Sequence, residues 1–324
     1  MTKNVCIVGY GSIGPTHAAA LEKTENAKLY AVCDNNPMRT ELCKKQYNVK
    51  SFSDFDEMIL DTNIDSVHIC TPHYLHFEMI KKALKAGKTV VCEKPVTMTR
   101  AEFNELLTLE GADRVCVSLQ NRFNPCFQKL REIIKSGELG NIKAVKGIVT
   151  WQRTMDYYFS GEWRGKWATE GGGVVINQAI HLLDYLCLIG GKPTAVAANV
   201  MNFDLPEIEV EDSCTAYISF KNDVKGILFA TNSYRENSPA EFEVLFEKGI
   251  IKYADSKLYK NGELLGEDSK PTLGKEYWGI GHEALMRSFY DFNEGLRPRD
   301  ISDTMDVLFA IYESANNNGE KIIL

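Results

Sequence analysis

The sequence predicts an α/β protein, with a Rossmann-type doubly wound parallel sheet first and an α+β domain with a mostly antiparallel, open-faced sheet second. From Lys3 to about Leu119, short β-branched runs alternate with amphipathic helical stretches, a pattern typical of a parallel sheet with crossover helices. From about Phe127 onward, longer strand-like runs dominate, which favours antiparallel pairing. A chain of 324 residues, 44% of them hydrophobic, is long enough for two such domains.

The first half is predicted to hold five strands and four helices. Gly, Pro or Thr residues stand at the ends of several of these helices. We expect strands at 5–8, 29–33, 66–70, 89–92 and 115–119, with helices at 12–23, 39–46, 74–85 and 100–109.

The second half is predicted to be strand-rich, with helices before, within and after the sheet. The strands are expected at 142–151, 194–201, 213–221, 224–233 and 241–253, and the helices at 127–135, 174–188, 282–293 and 304–315. No Pro/Ser-rich linker separates the halves, so only the change of pattern places the domains, at 1–121 and 122–324. The last helix, about 302–316, could return to the first domain.

Charge and hydropathy exclude several classes of protein. A net charge of −7 gives no electrostatic footprint for nucleic acid or for an anionic membrane surface. The longest apolar runs have strand length, and the turn at 9–11 interrupts the first of them, so neither a membrane segment nor a secretory leader is expected. Nine cysteines, several of them inside predicted strands, make a disulfide framework unexpected. These features predict a cytoplasmic protein.

A glycine-rich turn follows the first predicted strand and opens a helix. It runs Gly9-Tyr10-Gly11-Ser12-Ile13-Gly14. The first glycine permits a tight turn, the second lets the backbone approach a pyrophosphate, and the third allows close helix–strand packing. The alternative is a structural turn without a ligand, but the strand and helix around it favour dinucleotide binding.

Asp34 ends the second predicted strand about 20 residues after Gly14, the spacing of a carboxylate that accepts hydrogen bonds from the adenosine ribose. Because this carboxylate would repel a 2′-phosphate, we expect NAD and not NADP. Arg39 lies nearby and could pair with a phosphate if its loop turned inward, although a solvated helix residue is its ordinary interpretation.

Lys94 lies just beyond the carboxyl end of the strand at 89–92, where open α/β sheets bind their ligands. A partly desolvated ammonium there could polarise a carbonyl or share a proton with an alcohol. A solvated surface lysine is the alternative that position alone leaves open.

Asn177, His181 and Asp184 have the spacing i, i+4 and i+7 in the helix predicted at 174–188, so they are expected on one helix face. His181 titrates in the range useful for acid–base work. The alternative is a histidine whose bonds are satisfied in the core.

Two further groups of side chains are candidates for sites. Cys70, His73 and His76 superficially resemble metal ligands, but the cysteine should point into the sheet and no fourth ligand is evident, so no metal is expected. Trp163, Arg164 and Trp167 could form a stacking wall for a sugar ring or could equally pack on the sheet.

Together these residues resemble the glucose-fructose oxidoreductase / inositol dehydrogenase (Gfo/Idh/MocA) family, nearly from end to end. The resemblance rests on the glycine motif with His17 after it and on the segments 71–76, 83–88, 93–95, 122–125 and 171–184. It implies that Lys94 and His181 flank the reacting carbon while a hydride passes to or from the nicotinamide. It also implies a homodimer or homotetramer, paired through the open face of a sheet in a second domain that binds substrate.

The resemblance implies roles for other residues as well. Thr71, Pro72, His76, Glu93 and Gln120 would line the nucleotide, and Arg122, Trp163, Arg164 and His282 would line the substrate cleft. Asn177 departs from the aspartate of inositol-dehydrogenase-like members, which argues against inositol and resembles members acting on nucleotide-linked N-acetyl-hexosaminuronates or on sugars not yet assigned.

The resulting hypothesis is an NAD-dependent oxidoreductase that acts on a ring hydroxyl or ketone of a sugar, sugar acid, nucleotide sugar or polyol. Lys94 and His181 would share proton transfer, and Asn177 would fix the hydroxyl. The alternative is a non-catalytic NAD(P)-sensing regulator of the same fold, against which the retention of Lys94 and His181 argues.

Overall fold

The computed structural model describes residues 2–324, which form two compact units. Unit 1 holds residues 2–97, 101–124 and 269–300, and unit 2 holds residues 98–100, 125–268 and 301–324. Each unit is therefore assembled from separate stretches of the chain.

Unit 1 is built on a six-stranded sheet in the order β3-β2-β1-β4-β5-β6, with every neighbouring pair parallel. Its strands are β1 (Lys3–Val8), β2 (Ala27–Cys33), β3 (Lys50–Phe52), β4 (Ser66–Ile69), β5 (Thr89–Glu93) and β6 (Val115–Ser118). Its helices are α1 (Gly14–Leu21), α2 (Pro37–Tyr47), α3 (Phe55–Met58), α4 (His76–Lys85), α5 (Arg100–Thr108, which begins at the unit boundary) and α11 (Gly281–Asp291). The predicted Rossmann-type sheet is confirmed, and the short strand β3 was not predicted.

This strand order has its switch point between β1 and β4, and ligands of such sheets bind beyond the carboxyl ends of the strands there. Helix α11 completes the core beside α1, with Leu285 and Met286 fully buried in the same cluster as Val5 and Ile7. Losing a buried side chain of this size costs about 2–5 kcal/mol. The late segment 269–300 is therefore part of unit 1's core.

Unit 2 is built on a nine-stranded sheet in the order β14-β13-β12-β11-β7-β10-β9-β8-β15. Only β7 and β10 pair in parallel, which confirms the mostly antiparallel sheet. Its strands are β7 (Ile142–Thr150), β8 (Pro193–Met201), β9 (Ser213–Phe220), β10 (Lys225–Thr231), β11 (Glu241–Phe246), β12 (Gly249–Ala254), β13 (Lys257–Lys260), β14 (Glu263–Glu267) and β15 (Ile322–Ile323). The single strand predicted at 241–253 is wrong, because the chain reverses there and pairs β11 with β12 as a hairpin.

The helices of unit 2 are α6 (Pro125–Ser136), α7 (Met155–Phe159), α8 (Trp167–Glu170), α9 (Val174–Asn177), α10 (Ile180–Gly190) and α12 (Ser302–Asn316). Helix α10 lies against β7, where a Cβ on Gly147 would come within 2.8 Å of Leu182. The helix predicted at about 302–316 is α12, and its Ser314 hydroxyl accepts the Ala198 amide of β8 at 2.9 Å.

One face of the unit 2 sheet carries exposed apolar side chains. They are Tyr217, Ile227, Phe229, Leu245 and Ile250 on strands β9 to β12. Ile227 lies directly opposite Tyr217, and Leu245 directly opposite Ile250. All nine cysteines are buried, and none of them forms a disulfide within residues 2–324. Within residues 2–324, no single helix is long and apolar enough to cross a membrane. One bent pair of helical segments, Trp167–Asn177 and Ile180–Gly190, reaches that length and apolarity when the two are taken together.

Candidate cofactor site and catalytic residues

The glycine turn of unit 1 has little room at two of its glycines and open space at the third. Gly9 has a φ of +87°, and a Cβ there would lie 2.7 Å from the Cys70 carbonyl oxygen. A Cβ on Gly14 would lie 2.6 Å from the Gly9 carbonyl oxygen. At Gly11 the nearest atom would be Arg39 Nη1 at 3.9 Å, so the backbone there is open to a ligand at the start of α1.

Asp34 lies against this turn and is almost fully buried. Its carboxylate accepts the Tyr10 amide at 2.7 Å and the Asn36 amide at 2.8 Å. Arg39 Nη1 lies 3.5 Å from the same carboxylate, with about half of its side chain exposed. The arginine therefore neighbours both Asp34 and Gly11, where a nucleotide would meet them.

Gln120 follows β6, at the carboxyl edge of the sheet. Its side-chain Oε1 is buried and accepts no hydrogen bond from the residues that the structure describes. A buried acceptor without a donor costs about 1–3 kcal/mol, and a ligand N–H would remove that cost. This atom and the open backbone at Gly11 fit a dinucleotide on the edge where one is expected.

His76 is completely buried between two backbone carbonyls. Its Nδ1 lies 2.8 Å from the Pro95 oxygen and its Nε2 lies 2.9 Å from the Thr71 oxygen. Burial lowers the pKa of His76, and the two carbonyls oppose this shift. Its side chain links the end of β4 to the segment after β5, and both ring nitrogens already contact protein carbonyls. The predicted contact of His76 with the nucleotide stays a prediction.

Glu93 is the last residue of β5 and Lys94 follows it, and the Lys94–Pro95 peptide is cis. One Glu93 oxygen lies 3.0 Å from His17 Nε2, and the other accepts the Lys94 amide at 3.3 Å. Burial opposes ionisation of this carboxyl, but hydrogen bonds and charge from His17 and His282 lower the pKa of Glu93 well below its usual value. Glu93 is therefore an ionised carboxylate directed at imidazoles inside unit 1.

Two residues predicted in the substrate cleft are buried in unit 1. Arg122 donates to the Asp300 carbonyl at 3.2 Å. His282 on α11 lies with its Nε2 3.7 Å from Glu93, and burial lowers the pKa of its ring. Their roles toward substrate stay predictions.

In unit 2, the single helix predicted at 174–188 is wrong, because it breaks after Asn177 into α9 and α10. The chain bends by 54° between Trp167–Asn177 and Ile180–Gly190. The Ala179 amide bonds to the Val174 carbonyl five residues back, an extra residue in the turn of the kind that often marks functional sites. Asn177 therefore ends one helix and His181 lies in the first turn of the next, so they share no continuous helix face. Asp184, further along α10, accepts the Thr304 hydroxyl at 2.7 Å.

The amide of Asn177 is held from two sides. Its Nδ2 donates to Glu170 at 2.6 Å and to the Tyr157 hydroxyl at 3.2 Å. The neighbouring Gln178 also donates to Tyr157, at 2.9 Å, and accepts from Asn232 at 3.0 Å. These contacts fix the orientation of the Asn177 side chain.

Arg164 joins the same group, since it donates to the Tyr157 hydroxyl and stacks on the rings of Tyr157 and Trp163. Arg153 also lies over Tyr157, 5.4 Å from the ring centroid. Trp167, the third residue of the predicted stacking wall, bonds through its indole to the Glu209 carbonyl at 2.9 Å. Within the described residues, neither arginine forms an ion pair with a carboxylate.

Glu211 holds the start of α9 from outside the helix. Its carboxylate accepts the Gly173 amide at 2.9 Å, the Val175 amide at 3.1 Å and the Tyr312 hydroxyl at 2.9 Å. Burial raises the pKa of Glu211 to about 7 against the effect of these donors. A buried carboxylate thus caps the helix that leads to Asn177 and His181.

Sequence reasoning missed Tyr157, Glu170 and Glu211 as members of this group. All three lie outside the glycine-rich segment that drew attention to Asn177, and no spacing rule links them to it. His17 was noted only as part of a motif, although its position directly after the glycine turn could have suggested a buried role.

Two protein-family models match this chain, one over the Rossmann sheet of unit 1 and one over part of unit 2. The family model described as "Oxidoreductase family, NAD-binding Rossmann fold" matches residues 3–121, and the "GFO/IDH/MocA C-terminal domain" matches residues 127–252. The chain belongs to the Gfo/Idh/MocA oxidoreductase family. The predictions of this family, of an oxidoreductase and of NAD as cofactor are therefore confirmed.

Relatives within the Gfo/Idh/MocA family cover different shares of the chain. D-glucoside 3-dehydrogenase of Escherichia coli is 29% identical over 96% of this chain and 95% of its own length. An oxidoreductase of Schizosaccharomyces pombe is 36% identical over 51% of this chain, and the match spans less than half of that protein, 45%. The WlbA dehydrogenase of Bordetella pertussis, solved with NADH and UDP-GlcNAcA, has a TM-score of 0.88 at 26% identity, covering 100% of this chain and 99% of that one.

Proposed function

We propose that this protein is an NAD-dependent dehydrogenase or reductase that acts on a ring hydroxyl or ketone of a sugar, sugar acid, nucleotide sugar or polyol. The observation that carries the proposal is Lys94 at the carboxyl end of β5, in a Rossmann sheet of this oxidoreductase family. Sugar-linked relatives that match most of the chain support the substrate class.

The proposed chemistry gives each predicted residue one role. Bound NAD supplies the hydride acceptor or donor. Lys94 and His181 hold and move the proton of the reacting hydroxyl. The amide of Asn177, fixed by Glu170 and Tyr157, orients that hydroxyl. Gly11, Asp34 and Gln120 bind the nucleotide. Gly11 leaves open space for it, Asp34 offers a carboxylate, and Gln120 offers a buried acceptor that has no donor among the described residues.

Within this class, the arginines of unit 2 support a substrate with an acidic group. Arg164 donates to Tyr157, which also accepts from Asn177, and Arg153 lies over the same ring. A guanidinium without a carboxylate partner suits recognition of a substrate carboxylate or phosphate. A panel that pairs each neutral sugar with its uronate or phosphate ester tests this preference.

The test is to titrate the protein with NADH and to screen that panel for a change in nicotinamide absorbance. Turnover on one sugar class is expected. Lys94→Ala should lower kcat by several orders of magnitude while the Kd for NADH changes little, and the exposed Lys248→Ala serves as the matched control. Near-normal turnover in Lys94→Ala, or NADH binding with no turnover on any sugar and a tight protein partner, contradicts the proposal and favours a nucleotide-sensing regulator.

Asp34 provides a separate test of cofactor preference. The protein should bind NADH more tightly than NADPH, and Asp34→Ala should narrow that difference because it removes the repulsion of a 2′-phosphate. Fluorescence titration of both proteins with both nucleotides measures it. A preference of the unaltered protein for NADPH contradicts the role given to Asp34.

The proposal includes a cytoplasmic location and a homodimer or homotetramer. Support comes from the exposed apolar side chains on one sheet face of unit 2, of which Tyr217 is 68% exposed and Ile227 47%. Large exposed apolar patches usually mark interaction surfaces. The double variant Tyr217→Asp/Ile227→Lys should reduce the mass measured by light scattering to that of a monomer, whereas the exposed Lys221→Asp should not.

A further inference from the structure

Five polar side chains form one buried cluster in unit 1, behind the carboxyl end of β5. They are His17 of α1, His68 of β4, Glu93 of β5, and His282 and Tyr290 of α11, each at most 8% exposed. We call this group the Glu93 cluster. None of these five residues takes part in the proton transfer proposed for Lys94 and His181.

The protons of the Glu93 cluster can be placed from its distances. An ionised Glu93 can only accept, so the contact at 3.0 Å is a bond from His17 Nε2–H. His17 Nδ1 then accepts from His68 Nδ1–H at 3.0 Å, and His68 Nε2 accepts from the Tyr290 hydroxyl at 2.7 Å. This arrangement gives each ring nitrogen of His17 and His68 a partner and leaves His68 neutral, as expected because burial lowers the pKa of His68 well below the usual value.

The Glu93 cluster is directly connected to Lys94. The carboxylate oxygen that does not contact His17 accepts the Lys94 amide at 3.3 Å, and on the other side of the lysine His76 bonds to the Pro95 carbonyl at 2.8 Å. His17 also lies in the first turn of α1, immediately after the glycine turn. One imidazole therefore links the start of the helix expected to face the nucleotide phosphates with the strand end that carries Lys94.

We propose that His17 is a positioning residue for the reaction: its Nε2–H holds the Glu93 carboxylate, and Glu93 in turn fixes the backbone of Lys94. The inference rests on the role of Lys94 given under the proposed function. His68, which donates to the other ring nitrogen of His17, orients that ring so that its Nε2–H faces Glu93. His282 closes the same carboxylate off from water.

A metal ion is the competing use of these residues. His17, Glu93 and His282 each offer one ligand atom, and these atoms all lie within 4.8 Å of one another. Zinc sites use this set of ligands, but a metal would displace the Nε2 proton that His17 gives to Glu93. The hydrogen-bonded chain through His68 to Tyr290 is complete without a metal, which favours the positioning role.

The experiment compares four variants of the full chain. His17→Leu removes the donor to Glu93, and His17→Gln restores an N–H near the position of Nε2. Glu93→Gln removes the charge while it keeps the shape, and it replaces His17→Leu if that variant does not fold. Tyr290→Phe is the control, because it alters a buried contact of His68 and leaves the bond between His17 and Glu93 in place.

The first measurement needs no substrate. It is the rate of reductive methylation of Lys94 relative to that of the exposed Lys248, followed by mass spectrometry. We expect His17→Leu and Glu93→Gln to raise this ratio at least threefold, and His17→Gln and Tyr290→Phe to leave it near that of the unaltered protein. On the substrate found by the panel, the first two variants should lose at least tenfold in kcat, with a Kd for NADH changed less than threefold.

An unchanged methylation ratio in both His17→Leu and Glu93→Gln overturns the inference, and so does an equal loss in Tyr290→Phe. One zinc per chain in the purified protein, lost in His17→Leu, also overturns it in favour of a metal site. If the ratios change as expected while no sugar is turned over by the unaltered protein, the positioning of Lys94 stands and the proposed function fails.

Discussion

Each unit of the protein contains a buried carboxylate that accepts backbone amides from a segment with a proposed catalytic residue, and the two carboxylates differ in the other groups that donate to them. Glu93 in unit 1 is 7% exposed and receives an imidazole N–H from His17. Glu211 in unit 2 is 2% exposed and receives two backbone amides and the hydroxyl of Tyr312. The pKa of Glu93 is lowered well below its usual value, whereas that of Glu211 is raised to about 7.

Burial opposes ionisation in both cases, so the donors decide the outcome. The hydrogen bonds from the imidazoles outweigh burial at Glu93, whereas two amides and a phenol hydroxyl do not outweigh it at Glu211. The difference shows that a carboxylate can stabilise a site in opposite pH ranges: Glu93 above the usual glutamate pKa and Glu211 below it. Four variants test this comparison.

The largest effect on stability is expected from Gly173→Ala, which disrupts the contact between Glu211 and the start of α9. A Cβ on Gly173 would lie 1.8 Å from the backbone oxygen of Glu211, so the start of α9 or the segment before β9 must move. We expect a loss of more than about 4 kcal/mol in the free energy of unfolding, or no soluble protein. Gly266→Ala, with no atom within 4 Å of its Cβ, is the control and should change the melting temperature little.

The second variant is Glu211→Gln. Because the folded protein favours the neutral carboxyl of Glu211, the stability it contributes is full below pH about 4.5 and is lost as the pH rises through about 7. This loss is about 3 kcal/mol. Relative to Glu211→Gln, the unaltered protein should therefore exchange the amide hydrogens of residues 171–179 progressively faster between pH 5 and pH 8. If the ratio of the exchange rates of the unaltered protein and Glu211→Gln does not change with pH, the role given to Glu211 is wrong.

The third variant is Glu93→Gln, for which the opposite slope is expected. The lowered pKa of Glu93 means that its contribution is present above pH about 4.5 and is lost as the pH falls through the folded value. The unaltered protein should be more stable than Glu93→Gln by about 1.5–3 kcal/mol at pH 6, and the difference should shrink toward pH 3.5. Urea unfolding at a series of pH values measures it, and a difference that grows toward low pH contradicts the assignment.

The smallest effect is expected from Tyr312→Phe, which removes one donor from Glu211. Loss of this bond should cost about 1 kcal/mol and raise the pKa of Glu211 further, since the hydroxyl favours the ionised form. The pH at which amide exchange of residues 171–179 changes should move upward. Tyr290→Phe, a matched loss of a buried hydroxyl in unit 1, should leave that pH unaltered.

The sequence was sufficient for the features that depend on local pattern. The glycine turn, Asp34 at the end of β2 and Lys94 at the end of β5 follow from strand periodicity and short-range spacing. It was not sufficient for contacts between distant segments, such as His17 with Glu93, or Glu211 with Gly173. The break after Asn177 was missed because no Pro or Gly lies at Gln178 or Ala179, and the additional residue in the turn is visible only in the backbone hydrogen bonds.

The return of residues 269–300 to unit 1 has a consequence for the order of biosynthesis. Helix α11 supplies Leu285, Met286 and Phe289 to the core of unit 1, yet it is translated after the whole of residues 125–268. At a translation rate of about 5–20 residues per second, α11 is synthesised roughly 10–30 s after the strands of the first sheet. During that interval the apolar side of α1 is uncovered on the ribosome, where a chaperone that binds nascent chains would find it.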